Sequence, residues 1–424
     1  MTAHSALDLV DSIASRLADP AVYLGPRSTS TYRQHLAYGP PGIALLHIER
    51  AARGLGPWQR AHDWLAACSS QPFTGGPDSH PFYGAPALAH ALACAADRLP
   101  GSYQRALNTT DRQVVVDVIL RLDAAHRRID AGQLPGLAEF DTIRGLAGYG
   151  AYLLRRDPGS PTMRAVLDYC VRLTEPVDNH GETLPGWWAA TSPSGNQDSE
   201  QFPGGHANAG MAHGIGGVLA LLATAARKGI VTDGHYTALR TILAWLDRWR
   251  VETGTGPVWP YWVTREEFRT GALTPSAPQR PSWCYGTTGL ARAQQLASLA
   301  LGDTDRQLDA ESALVAALTD PDQLKATADR GLCHGLAGLA HVAARTADDA
   351  HPSTASQLRT AIPALMAAVH SRGAESYFDT TALARKKEHC PGLLDGAAGI
   401  ALALIAPSTA APPLSAWDTC LLIA

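Results

Sequence analysis

Ala212-His213-Gly214-Ile215-Gly216-Gly217-Val218-Leu219-Ala220-Leu221-Leu222-Ala223-Thr224-Ala225-Ala226 opens on a polar residue, passes through glycines spaced three apart, and continues almost wholly in small and aliphatic side chains. A run with no polar face predicts a helix buried nearly all round rather than one lying on a surface. Glycine in a helix costs about 1 kcal/mol relative to alanine, so a pair at the helix start implies a local reason such as a close backbone approach. The pattern recurs as Gly39-Pro40-Pro41-Gly42, Gly84 with Ala87 in the second place, Gly145-Leu146-Ala147-Gly148, Gly286 with Gly289, Gly335 with Gly338, and Gly396-Ala397-Ala398-Gly399. One such match reads equally well as a turn or a helix C-cap; seven in one register read as a repeat.

Amphipathic segments alternate with these motifs, at 5–18, 56–69, 112–128, 161–173, 235–250, 305–319 and 354–371. In the fifth, Leu239, Ile242, Leu243 and Leu246 share one stripe while Arg240, Asp247 and Arg248 lie off it. Seven outer and seven inner helices predict an all-α fold, an α/α toroid or double barrel, with 1–424 as a single domain, because each helix pair must bury its apolar face against its neighbours. The longest connections, 174–212 and 251–285, hold five of the ten tryptophans: Trp187, Trp188, Trp259, Trp262 and Trp283. Two readings of those tryptophans stand, as walls of a cleft or as pins that fix the loops to the body.

With 46% hydrophobic and 17% charged residues among 424, the chain can bury a large core. A net charge of −4 without a lysine or arginine run excludes the footprint of a dedicated nucleic-acid or anionic-membrane binder. Residues 1–20 lack a basic start followed by an apolar run, and no stretch reaches membrane-spanning length, so a cytoplasmic protein is expected. Seven widely spaced cysteines fit reduced thiols better than a disulfide framework.

Parallel inner helices bring their N-termini to one end. The residues just before the first glycines are Tyr38, Tyr83, Arg144, His213, Tyr285, His334 and Asp395, a ring of polar side chains at a common depth. Cys284 and Cys333 precede two consecutive motifs at the same position, on helices whose axes should stand about 8–10 Å apart. Both thiolates then reach one ion, and His334 adds a nitrogen. Two cysteines and a histidine suit Zn²⁺, and three protein ligands without an evident fourth are the pattern of a catalytic ion with one open position. His389-Cys390 is out of register and reads as packing, with His389 as an alternative fourth ligand.

Two thiolates and one neutral imidazole leave a bound substrate thiol deprotonated yet electron-rich, so the site suits activation of a sulfur nucleophile. His213 is a general acid or base, or an unpaired histidine at the barrel mouth. Asp141 orients His213 or caps its own helix. Arg280 and Tyr285 flank Cys284, either as oxyanion binders or as a surface pair and a core ring.

Ser282-Trp283-Cys284-Tyr285-Gly286, Cys333-His334-Gly335, Ala212-His213-Gly214-Ile215-Gly216-Gly217, Asp141 with Gly145, and Gly392-Leu393-Leu394-Asp395-Gly396 together make the chain resemble the lanthionine synthetase C-like proteins over essentially its full length. The resemblance implies an α/α toroid with one zinc held by Cys284, Cys333 and His334. It also implies a dehydrated ribosomal precursor peptide as substrate, whose cysteine thiols add to dehydroalanine or dehydrobutyrine to give lanthionine or methyllanthionine rings. In that scheme His213 protonates the α-carbon with Asp141 assisting, Arg280 and Tyr285 steady the enolate, and a separate dehydratase is a partner. Three other readings remain: a zinc prenyltransferase-like enzyme, for which no basic diphosphate patch is found; a zinc-stabilised peptide-binding scaffold; and a relative that joins glutathione to dehydro-amino acids.

Overall fold

Each of the seven first glycines, Gly39, Gly84, Gly145, Gly214, Gly286, Gly335 and Gly396, is the N-cap of a helix in the computed structural model. The structure describes residues 3–24, 30–196, 199–274, 279–371 and 391–424. His389-Cys390 therefore lies outside the described residues.

The long helices in chain order are α1 (Ala3–Arg16), α2 (Pro40–Ala52), α3 (Trp58–Cys68), α4 (Ala85–Ala96), α5 (Gln104–Asp130), α6 (Leu146–Arg156) and α7 (Pro161–Arg172). They continue with α8 (Ile215–Arg227), α9 (His235–Arg248), α10 (Thr287–Leu301), α11 (Thr304–Thr319), α12 (Leu336–Asp349), α13 (Pro352–Ser371) and α14 (Ala397–Thr409). Even-numbered helices follow a glycine motif, and odd-numbered ones are the amphipathic segments. No helix among the described residues is long and apolar enough to cross a membrane.

The chain divides into two compact units, Met1–Asp117 with Thr327–Asp418, and Val118–Ala326 with Thr419–Ala424. In the first, α2 packs against α4 and α14, α14 packs against α12, and α1, α3 and α13 cover α14, α2 and α12. In the second, α8 packs against α6 and α10, with α7, α9 and α11 over α6, α8 and α10. Every residue from Ala397 to Ala406 of α14 is buried, as its all-round apolar run requires. Each fully buried leucine or isoleucine there contributes about 1.5–3 kcal/mol of transfer free energy.

Some inner helices depart from the apolar expectation, among them α2, which buries His47, Glu49 and Arg50, and α10. α10 buries Arg292, Gln294 and Gln295. Arg292 Nε donates to Ile423 O at 3.0 Å and Gln295 Nε2 to Glu311 Oε1 at 2.8 Å, so the C-terminal residues and α11 satisfy groups that would otherwise be stranded.

The glycine pairs have a steric cause. A Cβ at Gly289 would stand 2.1 Å from Trp283 O, and one at Gly338 would stand 2.0 Å from Leu332 O. The incoming chain thus lies directly on the first helical turn. It also satisfies that turn: Gly289 N donates to Ser282 O and Gly338 N to Gly331 O, each at 3.2 Å. In the second repeat the covering segment is different, with Ala85 N bonded to Thr74 O at 2.8 Å.

The two long connections are not irregular. They hold the seven short strands assigned among the described residues: β1 (Val177–Asn179), β2 (Glu182–Leu184), β3 (Trp188–Ala189), β4 (His206–Asn208), β5 (Val251–Thr253), β6 (Gly256–Val258) and β7 (Trp262–Thr264). β1 pairs with β2, β5 pairs with β6, and β4 runs antiparallel between β3 and β7. Trp187, Trp188, Trp259 and Trp283 are buried. Three of their indole N–H groups are tied to main-chain carbonyls: Trp188 to Gly204 at 2.9 Å, Trp259 to Leu246 at 3.0 Å and Trp283 to Leu421 at 3.1 Å. These four are pins, and Trp262 alone of the five is half-buried.

Candidate metal centre

Main-chain hydrogen bonds join the loops that lead into neighbouring inner helices. In the second unit Thr142 N donates to Ala212 O at 3.1 Å, and Ala212 N to Cys284 O at 3.3 Å. In the first, Cys333 N donates to Leu394 O at 2.8 Å, Leu394 N to Ala37 O at 3.0 Å, and Leu36 N to Phe82 O at 2.8 Å. Ala212, Cys284, Cys333, Leu394, Ala37 and Phe82 all stand two residues before the first glycine of their motif, so this collar is the physical form of the shared register.

Within the second unit, Asp141 is buried and follows a short helix, Leu137–Phe140. Its Oδ1 accepts from Arg144 N at 2.5 Å and Gly145 N at 2.9 Å, while Oδ2 lies 2.7 Å from His213 Nδ1. One carboxylate therefore fills both roles weighed for it, capping α6 and fixing the His213 ring. With Nδ1 committed, Nε2 is the His213 atom left for chemistry on a side chain that is 36% exposed. Tyr285 lies 6.3 Å from the His213 ring, centroid to centroid, and its hydroxyl accepts from Asn208 Nδ2 at 3.1 Å.

Arg280 Nε is buried with no hydrogen-bond partner among the described residues, which leaves that group to an anionic or carbonyl oxygen. The Arg280 carbonyl takes the Tyr261 hydroxyl at 2.8 Å. Burial pushes the Tyr261 phenol up to about 12, so it remains a donor throughout the working pH range. The Cys284 side chain is buried, with Sγ 3.5 Å from Ser282 Oγ.

Within the first unit, His334 is flanked by two carboxylates that sequence reading did not assign to it. Nε2 lies 3.2 Å from Asp329 Oδ2, and Nδ1 lies 3.5 Å from Asp395 Oδ1. Burial works against ionisation of Asp329, yet the His334 and Gly331 N–H hydrogen bonds outweigh it and hold the carboxyl below its ordinary range. When one ring nitrogen binds a metal, a carboxylate on the other fixes the tautomer and raises the ligand's basicity. Asp395 had a signal, since it occupies the ring position before Gly396; Asp329 had none.

Cys284, Cys333 and His334 each offer a ligand atom within 4.8 Å of the others, and no other group of three such side chains occurs among the described residues. Two sulfurs at about 2.3 Å from a tetrahedral ion stand roughly 3.8 Å apart, so the donor set fits zinc with adjustments of about 1 Å or less. Asp141, His213, Arg280 and Tyr285 belong to the same unit as Cys284.

The family described as "Lanthionine synthetase C-like protein" matches residues 30–422. The chain is 29% identical over 209 residues to nisin biosynthesis protein NisC of Lactococcus lactis subsp. lactis, a stretch covering 48% of each chain, so it spans about half the length of that curated relative. Among solved structures, a nisin cyclase superposes over 99% of this chain and 97% of its own with a TM-score of 0.75 at 20% identity. That likeness shows the fold, an all-α toroid.

Proposed function

The chain belongs to the lanthionine synthetase C-like family, and on that footing we propose that it is a zinc-dependent lanthipeptide cyclase, acting as one domain in the cytoplasm on a dehydrated ribosomal precursor peptide supplied by a separate dehydratase. The observation that carries the reading is the gathering of Cys284, Cys333 and His334 within 4.8 Å. Those three would hold one Zn²⁺. Bound there, the ion supplies Lewis acidity that keeps a peptide thiol in its thiolate form near neutral pH.

The protein's own groups account for the remaining chemistry. The cysteine sulfur forms a bond to the β-carbon of dehydroalanine or dehydrobutyrine, and the alkene pair moves toward the α-carbon and its carbonyl oxygen. Arg280 and the Tyr285 hydroxyl face the developing oxyanion. His213 Nε2 delivers the proton that completes the α-carbon, while Asp141 holds Nδ1 at 2.7 Å and stabilises the charged imidazole.

The test has two parts. Elemental analysis should find about one zinc per parent chain and none in Cys284→Ala or Cys333→Ala. Ring closure is an addition and leaves the peptide mass unchanged, so activity is read as loss of alkylatable thiols on a dehydrated precursor. Zinc retained by both variants, or thiols that persist with the zinc-loaded parent, would overturn the reading; full activity in a zinc-replete His213→Ala would remove the acid assigned here.

A further inference from the structure

A cavity of about 810 Å³ lies in the second unit beside the start of α10, and of its lining residues the chemistry above uses only Arg280. Its walls include Val258, Tyr261, Trp262, Leu273, Arg280 and Gln323, together with Gly286 and Thr287, which follow Cys284 by two and three residues in the chain. Trp262, the one tryptophan of the long connections that is not a pin, shows its ring here. The aromatic wall is continuous with the reacting centre: Tyr285 packs 5.3 Å from the Tyr261 ring and 6.0 Å from the Trp262 ring.

Two of the cavity's three carboxylates, Glu267 and Asp320, are already engaged, and the third, Asp322, is exposed to solvent. Glu267 accepts from Thr264 N and Thr274 N, each at 2.9 Å, and Asp320 accepts from Thr255 Oγ1 at 2.7 Å and Gln323 Nε2 at 3.0 Å. With those two carboxylates committed, a ligand meets mainly the aliphatic and aromatic wall, with the Asp322 carboxylate in solvent and the Arg280 Nε, which has no hydrogen-bond partner among the described residues, at its rim.

We propose that this cavity is a specificity subsite that takes an apolar, preferably aromatic, side chain immediately before or after the cysteine whose thiol reacts, with Arg280 Nε meeting a backbone carbonyl of the same peptide. The proposal rests on the cyclase reading and deepens it by naming a sequence preference in the substrate. Burying a phenylalanine ring there should tighten binding roughly ten- to a hundredfold over glycine at that position.

The probes are synthetic tripeptides, Ac-Phe-Cys-Gly-NH2, Ac-Gly-Cys-Phe-NH2 and Ac-Gly-Cys-Gly-NH2, each also made with serine in place of cysteine, titrated into the full zinc-loaded chain by calorimetry. At least one phenylalanine peptide should bind tenfold or more tightly than the all-glycine one, and the advantage should persist in the serine series. Val258→Trp and Leu273→Trp, which add bulk at two separate lining positions, should each abolish that advantage and leave the glycine peptide's affinity unchanged. Phenylalanine and glycine peptides binding alike, an advantage that survives both filling variants, or no saturable binding of the phenylalanine peptides at millimolar concentration would overturn the proposal. Failure of the zinc reading looks different: cysteine and serine peptides would then bind alike while the phenylalanine preference stands.

Discussion

Replacing Gly289 by alanine adds one methyl group at the spot where the incoming chain lies on α10. The new Cβ would stand 2.1 Å from Trp283 O and 2.7 Å from Met211 Cγ, against the 3.0 Å below which real Cβ atoms essentially never approach. The Trp283 carbonyl must retreat by about 0.9 Å, and Cys284 is the next residue. Gly338→Ala does the same in the neighbouring repeat, where Leu332 O stands 2.0 Å away and Cys333 follows. Overpacking of this kind costs about 1–3 kcal/mol. A zinc–sulfur bond tolerates about 0.2 Å, so each variant should also lose roughly ten- to a hundredfold in zinc affinity, the range seen when groups that orient a ligand are disturbed. Gly39→Ala is the control: its Cβ would meet Tyr32 O at 2.1 Å and His35 O at 2.9 Å, in a segment that carries none of the three candidate ligands. Thermal melts followed by circular dichroism measure the first effect, and zinc titration against a chromophoric chelator measures the second. Folded Gly289→Ala and Gly338→Ala proteins with parental zinc affinity, or a Gly39→Ala protein that loses as much, would refute the reasoning.

Asp141→Asn keeps an oxygen to cap α6 but removes the charge beside His213, so cyclisation should slow by about 10²–10⁴-fold with zinc content unchanged; Asp141→Ala should cost about 1 kcal/mol more stability, and equal turnover in the Asp141→Asn variant and the parent would count against the pair. His47 and His206 are held neutral, at about 4 from a usual 6.5, chiefly by burial, each with one nitrogen on a main-chain carbonyl. Between those values the unfolded chain takes up protons that the folded one refuses, so stability falls as pH drops through this window, by about 2 kcal/mol per histidine from pH 6.5 to near pH 5. Urea midpoints of the metal-free chain should show this, and His47→Gln and His206→Gln variants with an unaltered pH dependence would contradict it. Glu49, fully buried, accepts from Leu414 N at 3.0 Å and Ser415 N at 2.9 Å and pairs with Arg53 Nε at 2.6 Å; Glu49→Ala should therefore cost about 3–5 kcal/mol, and a change in denaturation midpoint equivalent to less than 1 kcal/mol would show that water readily replaces it.

The helices were legible because each inner one announces itself locally, by a glycine pair and then an apolar run, and each outer one by a stripe. α5 begins at Gln104 rather than 112, since its first turns are polar and show no stripe. The strands carry two or three residues each, too few for any alternation to register. The grouping of Cys284 with Cys333 and His334 could be read because two repeats carry cysteine in the same register. Asp329 was invisible for the opposite reason: it reaches His334 through the shape of one loop, with no counterpart in the other repeats to mark it. The buried Arg292 was likewise hidden, because its partner is a carbonyl 131 residues away that no sequence pattern signals.

The collar of N–H···O=C contacts has a consequence for how such a protein can change. Its fastenings at Ala212, Cys284, Cys333, Leu394, Ala37 and Phe82 use atoms that every amino acid possesses, so the frame is indifferent to which side chains hang from the adjoining positions. Tyr38, Tyr83, Arg144, His213, Tyr285, His334 and Asp395, each just before the first glycine of its motif, are in effect sockets whose side chains can be exchanged without loosening those main-chain fastenings. A workbench of that design lets new chemistry be tried one tool at a time.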